Sequence, residues 1–282
     1  MLNVENLSFR KGNKTILNKV SFRLRPGEFM AILGSNGAGK STLIKLITRQ
    51  QEASSGSIHF RDRELHSYSM EQLSTERSVL TQQLNLAFQF TVEEVVMMGR
   101  YPHFKGQARE EDVHAVRKAI HHSELSSYTN RVYNTLSGGE QQRTQIARVF
   151  TQLDEGEQTS GKLLLLDEPL NNLDIKHQHE VLHRAIEFAH EGNMVIAVLH
   201  DINMATQYAD QILMLKKGEQ LAYGPVEKVI RQDLLETCYD MPVHIMKHPQ
   251  YSCPMVCFGS RHHAQAVRIK EQLNNELITI EP

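Results

Sequence analysis

The 282-residue chain has few cysteines, no long apolar run and almost no net charge. Its three cysteines, Cys238, Cys253 and Cys257, are odd in number and confined to the last quarter. They form no framework spacing, which excludes a disulfide scaffold and fits a reducing compartment. No stretch approaches the roughly 18–20 apolar residues that span a bilayer. The opening Met1-Leu2-Asn3-Val4-Glu5-Asn6 lacks the basic-then-apolar order of a secretory signal. Any work at a membrane is therefore expected to need another chain for the spanning. Lys and Arg number 31 against 33 Asp and Glu, a formal charge of −2. So weak a field gives no bulk attraction to nucleic acid or to an acidic lipid surface. At 40% hydrophobic and 23% charged, the composition is that of an ordinary globular protein. The length permits one large core or two modest domains.

Three apolar runs are of strand length: Phe29-Met30-Ala31-Ile32-Leu33, Leu163-Leu164-Leu165-Leu166 and Val195-Ile196-Ala197-Val198-Leu199. They do not alternate, which suits strands buried on both faces of a parallel sheet covered by helices. Between them, Ile146, Val149, Phe150 and Leu153 share one helical face, as do Val181, Leu182, Ala185, Ile186 and Ala189. Strands alternating with such helices give an α/β fold. Leu2, Val4, Leu7 and Phe9, then residues 16–24, read as short antiparallel strands. The stretch from about 85 to 155 reads as helix and loop, a candidate inserted subdomain. Residues 154–162 read as a solvated loop on composition. Past residue 240 the patterns fade among Pro242, Pro249, Pro254 and several histidines.

Gly34-Ser35-Asn36-Gly37-Ala38-Gly39-Lys40-Ser41 satisfies G-x-x-x-x-G-K-[ST] in full, with Thr42 following. It leaves an expected strand and opens an expected helix over 41–48, the context the motif needs. Its glycines let successive N–H groups converge on an anion, and the helix start adds partial positive charge. Lys40 can reach the β- and γ-phosphates, and Ser41 can ligate Mg²⁺. Leu163-Leu164-Leu165-Leu166-Asp167-Glu168 supplies the second half. The apolar strand carries Asp167 to its carboxyl end, where open α/β sheets bind ligands, as a holder of Mg²⁺. Glu168 points differently and can polarise an attacking water. Together these motifs indicate a nucleoside triphosphate and Mg²⁺. A metabolic kinase, a GTPase, a helicase and a transport motor all remain open on them.

Leu136-Ser137-Gly138-Gly139-Glu140-Gln141 opens the helix that bears Ile146 to Leu153. Ser137 is a good N-cap and the two glycines expose backbone N–H groups, so the chain holds a second anion-binding helix start. One site needs only one cradle for its phosphates. The economical expectation is that this second cradle closes on nucleotide held by another copy, in a head-to-tail dimer.

Residues 136–141 resemble the signature of the ATP-binding cassette (ABC) ATPases, and the family's other motifs follow in order. Its glutamine loop resembles Val79-Leu80-Thr81-Gln82, its D-loop Asn172-Leu173-Asp174, and its switch histidine His200. The resemblance covers roughly residues 2–240, leaving 241–282 as an extension. It implies a P-loop α/β core, an N-terminal antiparallel β subdomain and an inserted helical subdomain. It implies ATP and Mg²⁺ as cofactors. Gln82 would touch Mg²⁺ or the water and sense the membrane partner, Asp174 would communicate across the dimer, and His200 would hold the γ-phosphate, the water and Glu168. Two departures stand out. Where the family usually stacks an aromatic on adenine, this chain has Lys11, with Phe9 nearby; and Asn171-Asn172 replace the usual small or hydroxyl residues after Pro169.

The implied partners are a second copy of the chain, two transmembrane permease subunits and, indirectly, a periplasmic substrate-binding protein, with no nucleic acid. The implied location is the cytoplasmic face of the inner membrane. Thr91, Glu93 and Glu94 read as a helix start in the region where the family receives its membrane partner. The segment ending Gly99-Arg100-Tyr101-Pro102-His103 is similar to importers of iron chelates and cobalamin. The insert at 153–162 and Ala197-Val198-Leu199-His200-Asp201 are most similar to the haem-import ATPases. Ferric siderophore or cobalamin import is the alternative. A soluble cassette acting in repair or translation is a further one, but it usually carries two cassettes or a coiled-coil insert. A small-molecule kinase would leave residues 136–141 and His200 unexplained. Fifteen histidines, His121-His122 and His262-His263 among them, show no metal-finger spacing and read as scattered surface residues. Cys253-Pro254 reads as an unpaired thiol in a tail, not as a haem ligand.

Overall fold

The computed structural model describes residues 1–81, 88–104, 106–154 and 160–259. The first part of the chain forms β1 (Leu2–Lys11), β2 (Lys14–Leu24), β3 (Phe29–Leu33), α1 (Lys40–Ile47), β4 (Ser55–Phe60), β5 (Arg63–Glu64), α2 (Met70–Glu76) and β6 (Arg77–Leu80). An insertion then adds α3 (Val92–Met97), α4 (Glu110–His122) and α5 (Gly138–Leu153). The chain returns through β7 (Leu163–Asp167), α6 (Ile175–His190), β8 (Met194–Val198), α7 (Ile202–Tyr208), β9 (Gln211–Lys216) and β10 (Glu219–Pro225). It closes with α8 (Val226–Val229), α9 (Gln232–Tyr239), β11 (Val243–Lys247) and β12 (Pro254–Phe258).

A ten-stranded sheet takes the order β5-β4-β1-β2-β10-β9-β3-β8-β7-β6. The pairs among β9, β3, β8, β7 and β6 are parallel, and those among β5, β4, β1 and β2 antiparallel. This is the expected cassette fold. Its three central runs do not alternate because both faces are covered. Leu164 and Leu166 of β7 join Val195 and Ala197 of β8 in one core, under α5, α6 and α7. Leu163, Leu165, Ile196 and Val198 face the other core, with Leu43 and Ile47 of α1. A third cluster of Val92, Val95, Val96, Val116 and Ile120 holds the insertion together.

Charged side chains anchor the segments around the site. Arg77, buried, donates to the Ile47 and Thr48 carbonyls at 2.6 and 2.9 Å and so satisfies the end of α1. Burial pulls its guanidinium down to about 10. Lys162 belongs to the stretch that composition marks as solvated, yet it is buried. Its ammonium donates to the Leu153 carbonyl at 3.1 Å and closes α5. A lysine in this place is a helix cap rather than a surface charge. Beyond residue 240, β11 and β12 pair as an antiparallel hairpin, and Val243 and Val256 enter the main core.

The segment 99–103 has a structural role. A Cβ on Gly99 would lie 2.3 Å from the Arg148 carbonyl, so α5 can approach only a glycine there. Arg100 is buried, pairs with Asp112 at 2.9 Å and donates to the Thr151 and Asp154 carbonyls. Burial raises the Asp112 pKa, but the Arg109 amide and Arg100 outweigh it and hold the carboxyl below its ordinary value. A depressed native pKa stabilises the fold above the unfolded value, about 3.9. That stabilisation is lost as pH falls through the lower native value. Arg100→Ala, which strands a buried carboxylate, is expected to cost about 3–5 kcal/mol in urea unfolding at pH 7. Asp112→Asn should lose less stability than the parent between pH 7 and pH 3. Equal losses would remove the ion pair from this account.

Candidate functional site

Strand β3 delivers the loop 34–39 to the start of α1. Gly39 occupies the N-cap at φ 101° and offers no side-chain cap, which leaves the first N–H groups of α1 to an outside anion. The loop is packed from behind. A Cβ on Gly34 would lie 2.2 Å from the Leu215 carbonyl, and one on Gly39 would lie 2.6 Å from Leu17. The Ala38 carbonyl accepts from Gly218 at 3.1 Å, in the turn between β9 and β10. Ser35, Asn36 and Gly37 complete the loop ahead of Ala38, and Thr42 follows Ser41 in α1. Lys40 folds back to donate to the Gly34 and Ser35 carbonyls at 2.7 and 3.1 Å. Burial lowers its pKa. Its ammonium is thus held inside the ring of amides where a phosphate chain would sit.

The β3-β8-β7 order sets the end of β7 beside this cradle. The Ser41 hydroxyl donates to Asp167 Oδ1 at 3.3 Å. Burial pushes the Asp167 carboxyl above its ordinary pKa; the Ser41 hydrogen bond opposes it and the Glu168 charge reinforces it. Two hard oxygens, one on a buried carboxyl, fit Mg²⁺, which takes one or two protein oxygens and keeps waters and phosphate oxygens for the rest.

Glu168 follows with its backbone in the left-handed region, φ 55°. That conformation is costly for a non-glycine residue and turns the side chain away from Asp167. Both carboxylate oxygens are held. Oε1 lies 2.9 Å from His200 Nε2, just beyond β8, and Oε2 accepts from Asn171 Nδ2 at 2.8 Å. Burial raises the Glu168 pKa, but the bonds from His200 and Asn171 outweigh it, so the carboxyl stays ionised. Asn171 joins the site, although in the sequence it stands only as a departure from the family pattern. Its place three residues after Glu168, across a turn, was the available signal.

Ser137 caps α5 as expected. Its hydroxyl accepts from the Glu140 amide at 3.3 Å and its amide donates to Glu140 Oε2 at 2.7 Å. Gly138 and Gly139 lie against Asn172, whose carbonyl would be 2.9 Å from a Cβ on Gly139. Gln142 donates to the Pro169 carbonyl at 2.9 Å and ties this helix to the loop after β7. Asp174 caps α6, accepting from the His177 amide at 2.9 Å. Among the described residues, Ser137, Gly138 and Gly139 make no hydrogen bond to residues 34–42 of the same chain. The phosphate loop and the cap of α5 are two separate helix starts in one copy. Lys11 is exposed at the end of β1, and Phe9 is half-buried against the N-terminal core. Gln82 lies outside the described residues. Cys238 is buried, Cys253 half-buried and Cys257 exposed, all as free thiols. Among the described residues, no three of His, Cys, Asp and Glu cluster to hold a metal ion.

The family model described as ABC transporter matches residues 17–171. The chain is an ABC transporter ATP-binding cassette. A hemin import ATP-binding protein, HmuV, of Gloeobacter violaceus is 40% identical over 256 residues, 91% of this chain and 93% of that protein. The protein of the same name from Pseudomonas aeruginosa is 41% identical, over 91% of this chain and 99% of its own length. Among solved structures, a chain assigned to a metal-chelate type ABC transporter, in an inward-facing conformation, superposes with TM-score 0.77 and 26% identity over 93% of this cassette and 98% of that chain. A cassette solved as a dimer in a post-hydrolysis state, with ADP and Pi, gives TM-score 0.69 and 26% identity over 80% of this chain and 98% of its own.

Proposed function

We infer that the cassette is the ATP-hydrolysing subunit of an ABC importer for haem. The similarity to hemin import ATP-binding proteins over nine-tenths of the chain carries this reading. The two helix starts support a nucleotide sandwich. Residues 34–42 of one copy grip the phosphates, and Ser137, Gly138 and Gly139 of a second copy close from the other side, with Asp174 at the seam. Mg²⁺, held by Ser41 and Asp167 with Gln82, would neutralise phosphate charge. Lys40 binds the β- and γ-phosphate oxygens. Glu168, kept ionised, accepts a proton from water, while His200 leaves its resting contact with Glu168 to touch the γ-phosphate. Catalysis is then chiefly fixed charge around a positioned water.

Among the described residues, no helix is long and apolar enough to cross a membrane. The cassette would sit on the cytoplasmic face of the inner membrane, two copies beneath two permease subunits, with a periplasmic binding protein delivering cargo outside. The test is uptake into vesicles that hold cassette, permease and binding protein. ATP inside should drive haem accumulation that is lost in Lys40→Ala. Accumulation of a ferric siderophore or cobalamin in place of haem would transfer the same motor to that cargo.

A further inference from the structure

Helix α9 and the β11–β12 hairpin lie past every motif strand, yet they reach both ends of the candidate site. Cys238 and Tyr239 close α9. The buried Cys238 thiol donates to the Leu215 carbonyl at 3.7 Å. That carbonyl is the one against which Gly34 is packed. The start of the phosphate loop and the end of α9 thus meet on one carbonyl. Lys216 at the end of β9 fastens the same helix, pairing with Asp240 at 2.7 Å and donating to the Thr237 carbonyl.

The hairpin continues the contact. Phe258 of β12 stands edge-on to Tyr239, ring centroids 5.5 Å apart. Two residues earlier, Val256 exchanges a pair of hydrogen bonds with one side chain of α7. Asn203 Nδ2 donates to the Val256 carbonyl at 3.1 Å, and Asn203 Oδ1 accepts from its amide at 2.7 Å. A carboxamide carries the donor and acceptor that a strand partner would supply. Asn203 sits in the first turn of α7. Its amide and that of Met204 donate to Asp201, the cap residue next to His200, at 2.8 and 3.1 Å.

We propose that α9 and the hairpin act as a brace that sets the phosphate loop and the His200 loop relative to each other. In it, Cys238 is a positioning residue for the loop, Tyr239 joins α9 to the hairpin, and Asn203 is a positioning residue for His200. This rests on the ATPase reading above. The physical stake is that a displacement of about 1 Å in a reacting group can cost about 10²-fold in rate.

Two variants of the full chain separate the ends of the brace. Asn203→Leu frees the hairpin from α7. It is expected to lower kcat about tenfold with KM for ATP within about twofold, and to speed amide exchange over residues 199–206 without raising it elsewhere in the core. Cys238→Ala removes the thiol that donates to the Leu215 carbonyl behind Gly34. It should raise KM for ATP about three- to tenfold at nearly unchanged kcat. Unchanged constants in both variants would overturn the brace. So would losses of kcat and KM that track a lowered Tm, because these report unfolding alone. A parent chain that hydrolyses no ATP counts against the ATPase reading, and amide exchange in Asn203→Leu still decides the brace: local acceleration supports it, and none refutes it.

Discussion

Replacing Glu168 by Gln is expected to slow hydrolysis by about 10²–10⁴-fold while leaving ATP binding intact. Glu168 offers an ionised carboxylate gripped at one oxygen by His200 and at the other by Asn171, at 2.9 and 2.8 Å. The amide has the same shape but no basic oxygen to take the proton of water, and its NH₂ must face one of two donor groups. The substitution also removes a negative charge that raises the Asp167 pKa and stands near Lys40. An anionic nucleotide should therefore bind at least as well as in the parent. With binding kept and hydrolysis blocked, the closed state has no exit, so ATP should drive this variant into a stable dimer. Phosphate release and light scattering read the two effects separately. A Glu168→Gln chain that stays monomeric and fully active would contradict the assignment of the base.

Lys40→Ala carries the second large effect, and its two consequences point in opposite directions. The ammonium is buried and held by the Gly34 and Ser35 carbonyls. Burial lowers its pKa, so the charged form is the one the fold disfavours. Removing it should leave apo stability unchanged or slightly raised. With nucleotide, the same cation meets phosphate oxygens through charge-assisted bonds of about 1.5–3 kcal/mol each. ATP affinity should fall about 10²-fold or more. Titration calorimetry with ATP and a thermal melt of the apo chain check both halves. Unchanged ATP affinity, or an unfolded apo variant, would show that Lys40 has a structural role and not a phosphate-binding one.

Much of the site was legible because its residues sit where local rules are strict. The runs 29–33, 163–166 and 195–199 are short for helices and do not alternate, which suits strands covered on both sides, and the structure divides each between two cores. Ser137 and Thr91 were readable as caps because each has a glutamate three residues on, and both form reciprocal hydrogen bonds with it. What escaped depends on partners distant in sequence. Composition marked Lys162 as solvent-facing, but the end of α5 supplies a carbonyl for it. The fading pattern past 240 concealed a hairpin whose Val243 and Val256 complete a core begun elsewhere. Asn203 carries no local signal at all, since its partner is the backbone of Val256. The wording of 99–103 was legible as a likeness to importers, whereas its structural cause, the approach of Gly99 to Arg148 and the Arg100–Asp112 pair, was not.

The sharpest test of the two-copy site is ATP turnover per cassette as a function of cassette concentration, in the parent and in Ser137→Arg. In the proposed sandwich each catalytic centre draws residues 34–42 and 137–139 from different molecules. Turnover per cassette should therefore rise with concentration until dimers saturate, and Ser137→Arg should abolish it at every concentration while still binding ATP. A flat profile, with Ser137→Arg as active as the parent, would mean that one copy suffices and would contradict the account.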